Sequence, residues 1–125
     1  MITGIGIDII EIPRIAESIS KYGERFLNRI YTAHEIRYCD SFAKHKELHY
    51  AARFAAKEAF SKAIGTGITD GFKFNEICVQ NEENGKPFIV LSGGLKEKWG
   101  GRLTHISLSH TETNAVAMVV IETIE

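Results

Sequence analysis

The chain has 125 residues, 44% of them apolar, and a formal net charge of -1. That length bounds it to one domain, and the apolar share excludes a disordered segment. The near-zero charge gives no global pull toward nucleic acid or a membrane surface, and no apolar run approaches the roughly 18 residues of a membrane span, so neither partner is expected.

Ile2 to Ile10 reads as a strand, because Ile5, Ile7 and Ile9 alternate with Gly4, Gly6 and Asp8. The glycines allow another backbone or a ligand to approach closely. Asp8 is a carboxylate near the end of an otherwise apolar strand. It reads either as a metal ligand or as a cap or turn residue for the next segment. Pro13 suits the first turn of a helix carrying Ile12, Ile15, Ala16 and Ile19 on one stripe, with Arg14, Glu17, Ser18 and Lys21 off it. Tyr22-Gly23 breaks that helix. A second short helix from Glu24 to Ile30 is expected to bury Phe26, Leu27 and Ile30 and to leave Arg25 and Arg29 free. Thr32 and Glu35 form a capping box that opens a third helix through about Phe42.

The long helix runs from about Glu47 to Ile64. Its Arg53 to Ile68 stretch, RFAAKEAFSKAIGTGI, is rich in alanine and has no β-branched residue before Ile64. Gly65 and Gly67 stop it. Phe54, Glu58, Ser61 and Gly65 share one stripe, and Lys62 follows Glu58 by four residues. A carboxylate beside Lys57 and Lys62 can present a metal ligand and phosphate-binding cations together. The same pattern also describes a surface helix with an ordinary ion pair worth a few tenths of a kcal/mol.

Thr69-Asp70-Gly71 continues the loop. Phe72, Phe74, Ile77 and Val79 suggest a strand with an irregularity near Asn75. Asn84-Gly85 marks a hairpin, and Pro87 to Leu91 is the return strand. Ser92 to Trp99 reads as a short helix ended by Gly100-Gly101. Leu103 to His110 alternates, with Leu103, Ile106 and Leu108 apolar and His105, Ser107 and Ser109 on the opposite face. Ala115 to Ile124 is a near-continuous apolar strand, expected to be buried on both faces or packed in a subunit contact. The order predicts an α+β domain over residues 1–125, with a largely antiparallel sheet packed against a long central helix and short N-terminal helices. A chain this small has little volume for a deep private pocket, so a site shared between subunits is expected. Cys39 and Cys78 lack metal-ligand spacing, and free thiols without a signal peptide predict a cytoplasmic protein.

Asp8, the Glu58–Lys62 segment and His105–Thr111 place unusual polar groups at the ends of elements. Two carboxylates without His or Cys ligands suit Mg²⁺, which takes phosphate oxygens and waters as its other ligands. His105 and His110 read equally as core or surface histidines. No P-loop, dinucleotide fingerprint or nucleophile elbow is present.

GIGIDI at Gly4 to Ile9, FAAKEAFSKAIGTGI at Phe54 to Ile68, NGKP at Asn84 to Pro87 and HISLSHT at His105 to Thr111 together resemble the holo-acyl-carrier-protein synthases, the short bacterial 4′-phosphopantetheinyl transferases. The resemblance covers essentially the whole chain, and the motifs keep the family's order. It implies that the phosphopantetheine arm of coenzyme A moves to a serine of apo acyl carrier protein, releasing adenosine 3′,5′-bisphosphate. Asp8 and Glu58 match the family's Mg²⁺ ligands. Lys62 matches the lysine that contacts the phosphates and assists the leaving group, and Glu58 is the candidate to help deprotonate the serine. Arg53, Ser61, Gly65, Gly85, Lys86, Pro87, His110 and Thr111 match positions around the coenzyme. His45 departs from relatives with arginine there, so Lys44 or Lys46 is expected to substitute. Arg14, Lys21, Arg25 and Phe26 fall in the segment resembling the carrier-protein docking helix. The family is typically homotrimeric, with sites at subunit interfaces. The rival readings are a non-catalytic module holding coenzyme A or an acidic partner, and another Mg²⁺-dependent phosphotransferase or hydrolase acting on a nucleotide.

Overall fold

The computed structural model describes residues 1–65 and 72–124. Strand β1 (Ile2–Glu11) leads into helices α1 (Ile12–Tyr22), α2 (Glu24–Ile30), α3 (Ala33–Asp40) and the long α4 (Lys46–Ala63). A 3-10 turn (Phe74–Glu76), the hairpin β2 (Ile77–Asn81) and β3 (Pro87–Leu91), helix α5 (Gly93–Trp99) and strands β4 (Leu103–His110) and β5 (Asn114–Glu122) follow. The main sheet has the antiparallel order β1-β5-β4, and β2-β3 forms a separate pair. The expected α+β class with antiparallel sheets is the observed one.

Glycine decides how α4 meets the sheet. Gly4 and Gly6 point at the helix, and a Cβ on either would fall on the carbonyl oxygen of Ala63 or Ala59. Alanines on α4 complete this close approach, with Ala55, Ala56 and Ala59 fully buried against Ala117 and Val119 of β5. Gly6→Ala is therefore expected to push helix from sheet and cost about 1–3 kcal/mol or more, read as a lower melting temperature. An unchanged melting temperature would refute the close packing.

A second cluster joins α1–α4 through Ile15, Ile30, Tyr31, Cys39, Tyr50 and Ala51. The predicted capping box is present: the Glu35 backbone N–H donates to Thr32 Oγ1 at 3.2 Å, and the Thr32 N–H donates to Glu35 Oε1 at 2.9 Å. Glu35 does more than cap. Its Oε1 also accepts from Lys57 Nζ at 2.7 Å, and its Oε2 accepts from the Val79 N–H at 2.9 Å. Lys57 donates in addition to the carbonyls of Phe74 and Ile77. Both side chains are 0% exposed. Lys57 is thus a buried tie between α3, α4 and β2, not a companion of Lys62 for phosphate, and losing either partner would strand the other.

Several expected boundaries move. The third helix stops at Asp40, because Ser41 turns its hydroxyl back to the Tyr38 carbonyl at 2.6 Å. The strand expected from Phe72 starts only at Ile77; before it, Phe74 enters the 3-10 turn and stacks on Phe54 at 6.0 Å between ring centroids. Leu103 shares the exposed face of β4 with His105, and Thr104 takes the inward parity. Strand β5 buries Ala115, Ala117, Val119 and Ile121 on one face only. Its other face carries Met118 into solvent beside β1, where Ile5, Ile7 and Ile9 are 65%, 59% and 63% exposed. Gly67 and the Thr69-Asp70-Gly71 loop lie outside the described residues. Among the described residues no helix is long and apolar enough to cross a membrane.

Candidate active site

Strand parity brings Asp8 to the site. It lies on the same face of β1 as Gly4 and Gly6, hence toward α4, and it pairs with Ala117 of β5. Lys62, in the last turn of α4, reaches it: Nζ donates to Asp8 Oδ1 at 3.1 Å and to the Ile7 carbonyl at 3.0 Å. The expected i,i+4 partner, Glu58, makes no ion pair with Lys62 among the described residues. Burial, and then the nearby Asp8 carboxylate, push the Glu58 carboxyl above its ordinary value, against the pull of Lys62. Asp8 and Glu58 thus line the same side of the molecule, and among the described residues Lys62 pairs with Asp8 alone.

A groove of about 350 Å³ opens on this pair, lined by Asp8, Arg14, Ser18, Phe26, Phe54 and Glu58. Arg14 and Phe26, read from sequence as partner-binding, thus border the carboxylates directly. Lys21 and Arg25 are exposed farther along α1 and α2, and Lys21 Nζ sits 5.5 Å from the Tyr22 ring centre. Among the described residues no group of three or more His, Cys, Asp or Glu stands together. Two hard oxygen donors in an open groove suit Mg²⁺, which needs only one or two carboxylates when a phosphate supplies the remainder.

The other sequence-derived residues fall into a second group. Arg53 lies five positions before Glu58, roughly 140° round the helix at about 100° per residue. It is 2% exposed, stacks over Tyr38 at 4.2 Å and donates to Asn81 Oδ1 at 2.6 Å. The hairpin carrying Gly85, Lys86 and Pro87 is tied to it through Asn81, whose Nδ2 donates to the Gly85 carbonyl at 3.0 Å. The Lys86 N–H donates to Asn84 Oδ1 at 3.0 Å, and Gly85 has φ +90°, which explains the glycine. His110 and Thr111, at the β4–β5 turn, line a cavity of about 640 Å³ with His45 and Leu48. Thr111 Oγ1 also accepts from the Asn114 N–H at 3.0 Å, shaping the turn. Ser61 is 2% exposed, and its hydroxyl donates to the Glu58 carbonyl at 2.7 Å. Gly65, at φ +79°, caps α4 near Lys62.

His49 escaped the sequence reading. It stacks on Phe42 at 3.7 Å between centroids. Burial, together with Arg53, His110 and His45, pushes it below its ordinary value. Its spacing of four from both His45 and Arg53 was the available signal. Ser18 in the carboxylate groove gave none.

Known proteins share this chain's sequence and fold. Residues 4–119 match the family model of the 4′-phosphopantetheinyl transferase superfamily. The holo-[acyl-carrier-protein] synthase of Koribacter versatilis is 53% identical over 125 residues, covering 98% of this chain and 99% of that protein. That of Halothermothrix orenii is 45% identical, covering 98% of each. Among solved structures, a holo-(acyl-carrier-protein) synthase from Bacillus anthracis in complex with CoA (3′,5′-ADP) superposes with a TM-score of 0.85 at 40% identity, covering 99% of both chains. The Neisseria meningitidis enzyme gives 0.88 at 37% identity, covering 98% of this chain and 100% of that one. With sequence, length and three-dimensional course all matched from end to end, the chain belongs to the 4′-phosphopantetheinyl transferase superfamily, among its holo-[acyl-carrier-protein] synthases.

Proposed function

We infer that the chain transfers the 4′-phosphopantetheine arm of coenzyme A to a serine of apo acyl carrier protein, giving holo acyl carrier protein and adenosine 3′,5′-bisphosphate. The observation that carries the reading is the Asp8–Glu58 carboxylate pair facing Lys62 beside an open groove. A binding module gains nothing from like charges held together. A phosphoryl transferase does, because these carboxylates would hold a divalent cation, which would supply charge neutralisation for the pyrophosphate.

Asp8 and Glu58 would hold Mg²⁺. Lys62 is 52% exposed on a flexible stem, so it can leave Asp8 and follow phosphate oxygens. Glu58, half-buried at the groove, is the candidate to accept the serine proton directly or through a water. Arg53, Ser61, Gly65, Gly85, Lys86, Pro87, His110 and Thr111 would line the coenzyme. His45, exposed at the start of α4, would carry less charge than arginine toward its phosphates, with Lys44 and Lys46 flanking it. The carboxylates and the Arg53 hairpin lie on different sides of α4, and the outer face of β1 is apolar and exposed. Both facts support a homotrimer whose sites draw residues from neighbouring copies. Free Cys39 and Cys78 support a reducing cytoplasm.

Mass spectrometry of apo carrier protein incubated with this chain, coenzyme A and Mg²⁺ tests the reaction. A gain of about 340 Da, the mass of the transferred group, is expected. No gain would overturn it.

Docking has its own test. Arg14 borders the groove, is exposed and makes no ion pair among the described residues. Acyl carrier proteins are acidic, so Arg14→Glu is expected to raise the KM for carrier protein by about tenfold or more while the KM for coenzyme A hardly moves. Salt should weaken wild-type docking, since rim charges are screened within about 8 Å. A carrier-protein KM unaltered by the variant and flat with salt would leave Arg14 as plain helix surface.

A further inference from the structure

We propose that Asn81 is a positioning residue that aims the buried Arg53 guanidinium, still carrying its full charge, at an anionic oxygen of the coenzyme. Neither the sequence motifs nor the resemblance singled Asn81 out. This role rests on the reading of coenzyme A as the ligand.

Arg53 is 2% exposed, and a desolvated cation needs a counter-charge. Among the described residues no carboxylate pairs with it. Its neighbours are neutral: the face of Tyr38 at 4.2 Å and the Asn81 amide oxygen at 2.6 Å. Its Nε is buried and has no acceptor among the described residues. The same sequence builds the opposite arrangement one turn away, where Lys57 is neutralised by Glu35 at 2.7 Å. One buried cation is thus matched within the fold, and the other is held in place without a matching carboxylate among the described residues.

Asn81 suits that task for a chemical reason. An amide carries an acceptor and a donor on one planar group. Its Oδ1 takes the guanidinium, and its Nδ2 holds the Gly85 carbonyl at 3.0 Å. One side chain at the end of β2 thereby sets α4 against the Asn84–Lys86 turn. Aspartate in its place would keep the shape and the arginine contact. It would also cancel the cation's charge and set a carboxylate against the Gly85 carbonyl.

The test compares Asn81→Ala with the isosteric Asn81→Asp. Coenzyme A is titrated calorimetrically into each full-length protein. The kcat, both KM values and the melting temperature are measured alongside. Asn81→Ala is expected to weaken coenzyme A binding about tenfold, on the scale of one charge-assisted hydrogen bond. Asn81→Asp is expected to weaken it further although it melts no lower than Asn81→Ala, because it neutralises Arg53 while holding it. The kcat at saturating coenzyme A and the KM for carrier protein should stay within about twofold of wild type. A merely structural residue predicts the reverse order, with Asn81→Asp the milder change and binding falling in step with melting temperature. That reverse order, or unchanged binding in both variants with a binding wild type, overturns the proposal alone. A wild-type protein that takes up no coenzyme A overturns the ligand reading and the proposal together.

Discussion

Asp8→Ala and Glu58→Ala are each expected to cut phosphopantetheine transfer by at least about a hundredfold while leaving the fold intact. Each carboxylate lies beside an open groove, and neither belongs to the buried core. Truncation therefore removes charge rather than packed volume. If the pair holds a divalent cation as proposed, the lost term would be charge stabilisation worth several kcal/mol in metal-assisted transfer. The pair also makes a signed prediction. Burial and the Asp8 charge hold the Glu58 carboxyl above its ordinary value. Removing the Asp8 charge deletes the second cause, so the Glu58 midpoint should fall in Asp8→Ala, measurable by carboxyl NMR titration in the metal-free protein. Near wild-type transfer by either variant at limiting Mg²⁺ would sink the metal assignment.

Ile7→Glu is expected to leave the chain folded, to yield monomers in sedimentation, and to abolish transfer. Ile7 is 59% exposed at the middle of an apolar face that Ile5, Ile9 and Met118 continue. A contiguous patch of this kind is uncommon on a monomer and marks a contact surface. Assembly would force the introduced carboxylate out of water in every copy, so the monomer is favoured. Activity should be lost with assembly, because the carboxylates and the Arg53 hairpin lie on different sides of α4. A fully active monomer, in wild type or variant, would overturn the shared site.

Much of this was legible in order along the chain. Local signals marked the elements: Pro13 at a first turn, the Thr32–Glu35 box, the alanine-rich run of α4, and the Asn84–Gly85 turn. Each acts within a few residues, so the sequence states it directly. Gly4 and Gly6 announced a close approach, which α4 makes. The identity of the reaction followed from the combination of motifs rather than from any one of them. What the sequence could not state is which groups meet. Lys57 and Lys62 look alike as lysines on one helix, yet one is sealed against Glu35 and the other reaches Asp8 on a neighbouring strand. The difference arises from the rotation of α4 over the sheet, set by where glycine lets it settle. The isoleucines of β1 alternate with its glycines, and α4 covers the glycine face and leaves the isoleucines outside. Leu103 and Thr104 exchanged faces for a related reason: strand parity follows the pairing register with β5, not hydrophobicity alone. Asn81 shows the limit most plainly. An amide at a strand end carries no local signal, and its meaning comes from Arg53, which folding brings to it from 28 positions away.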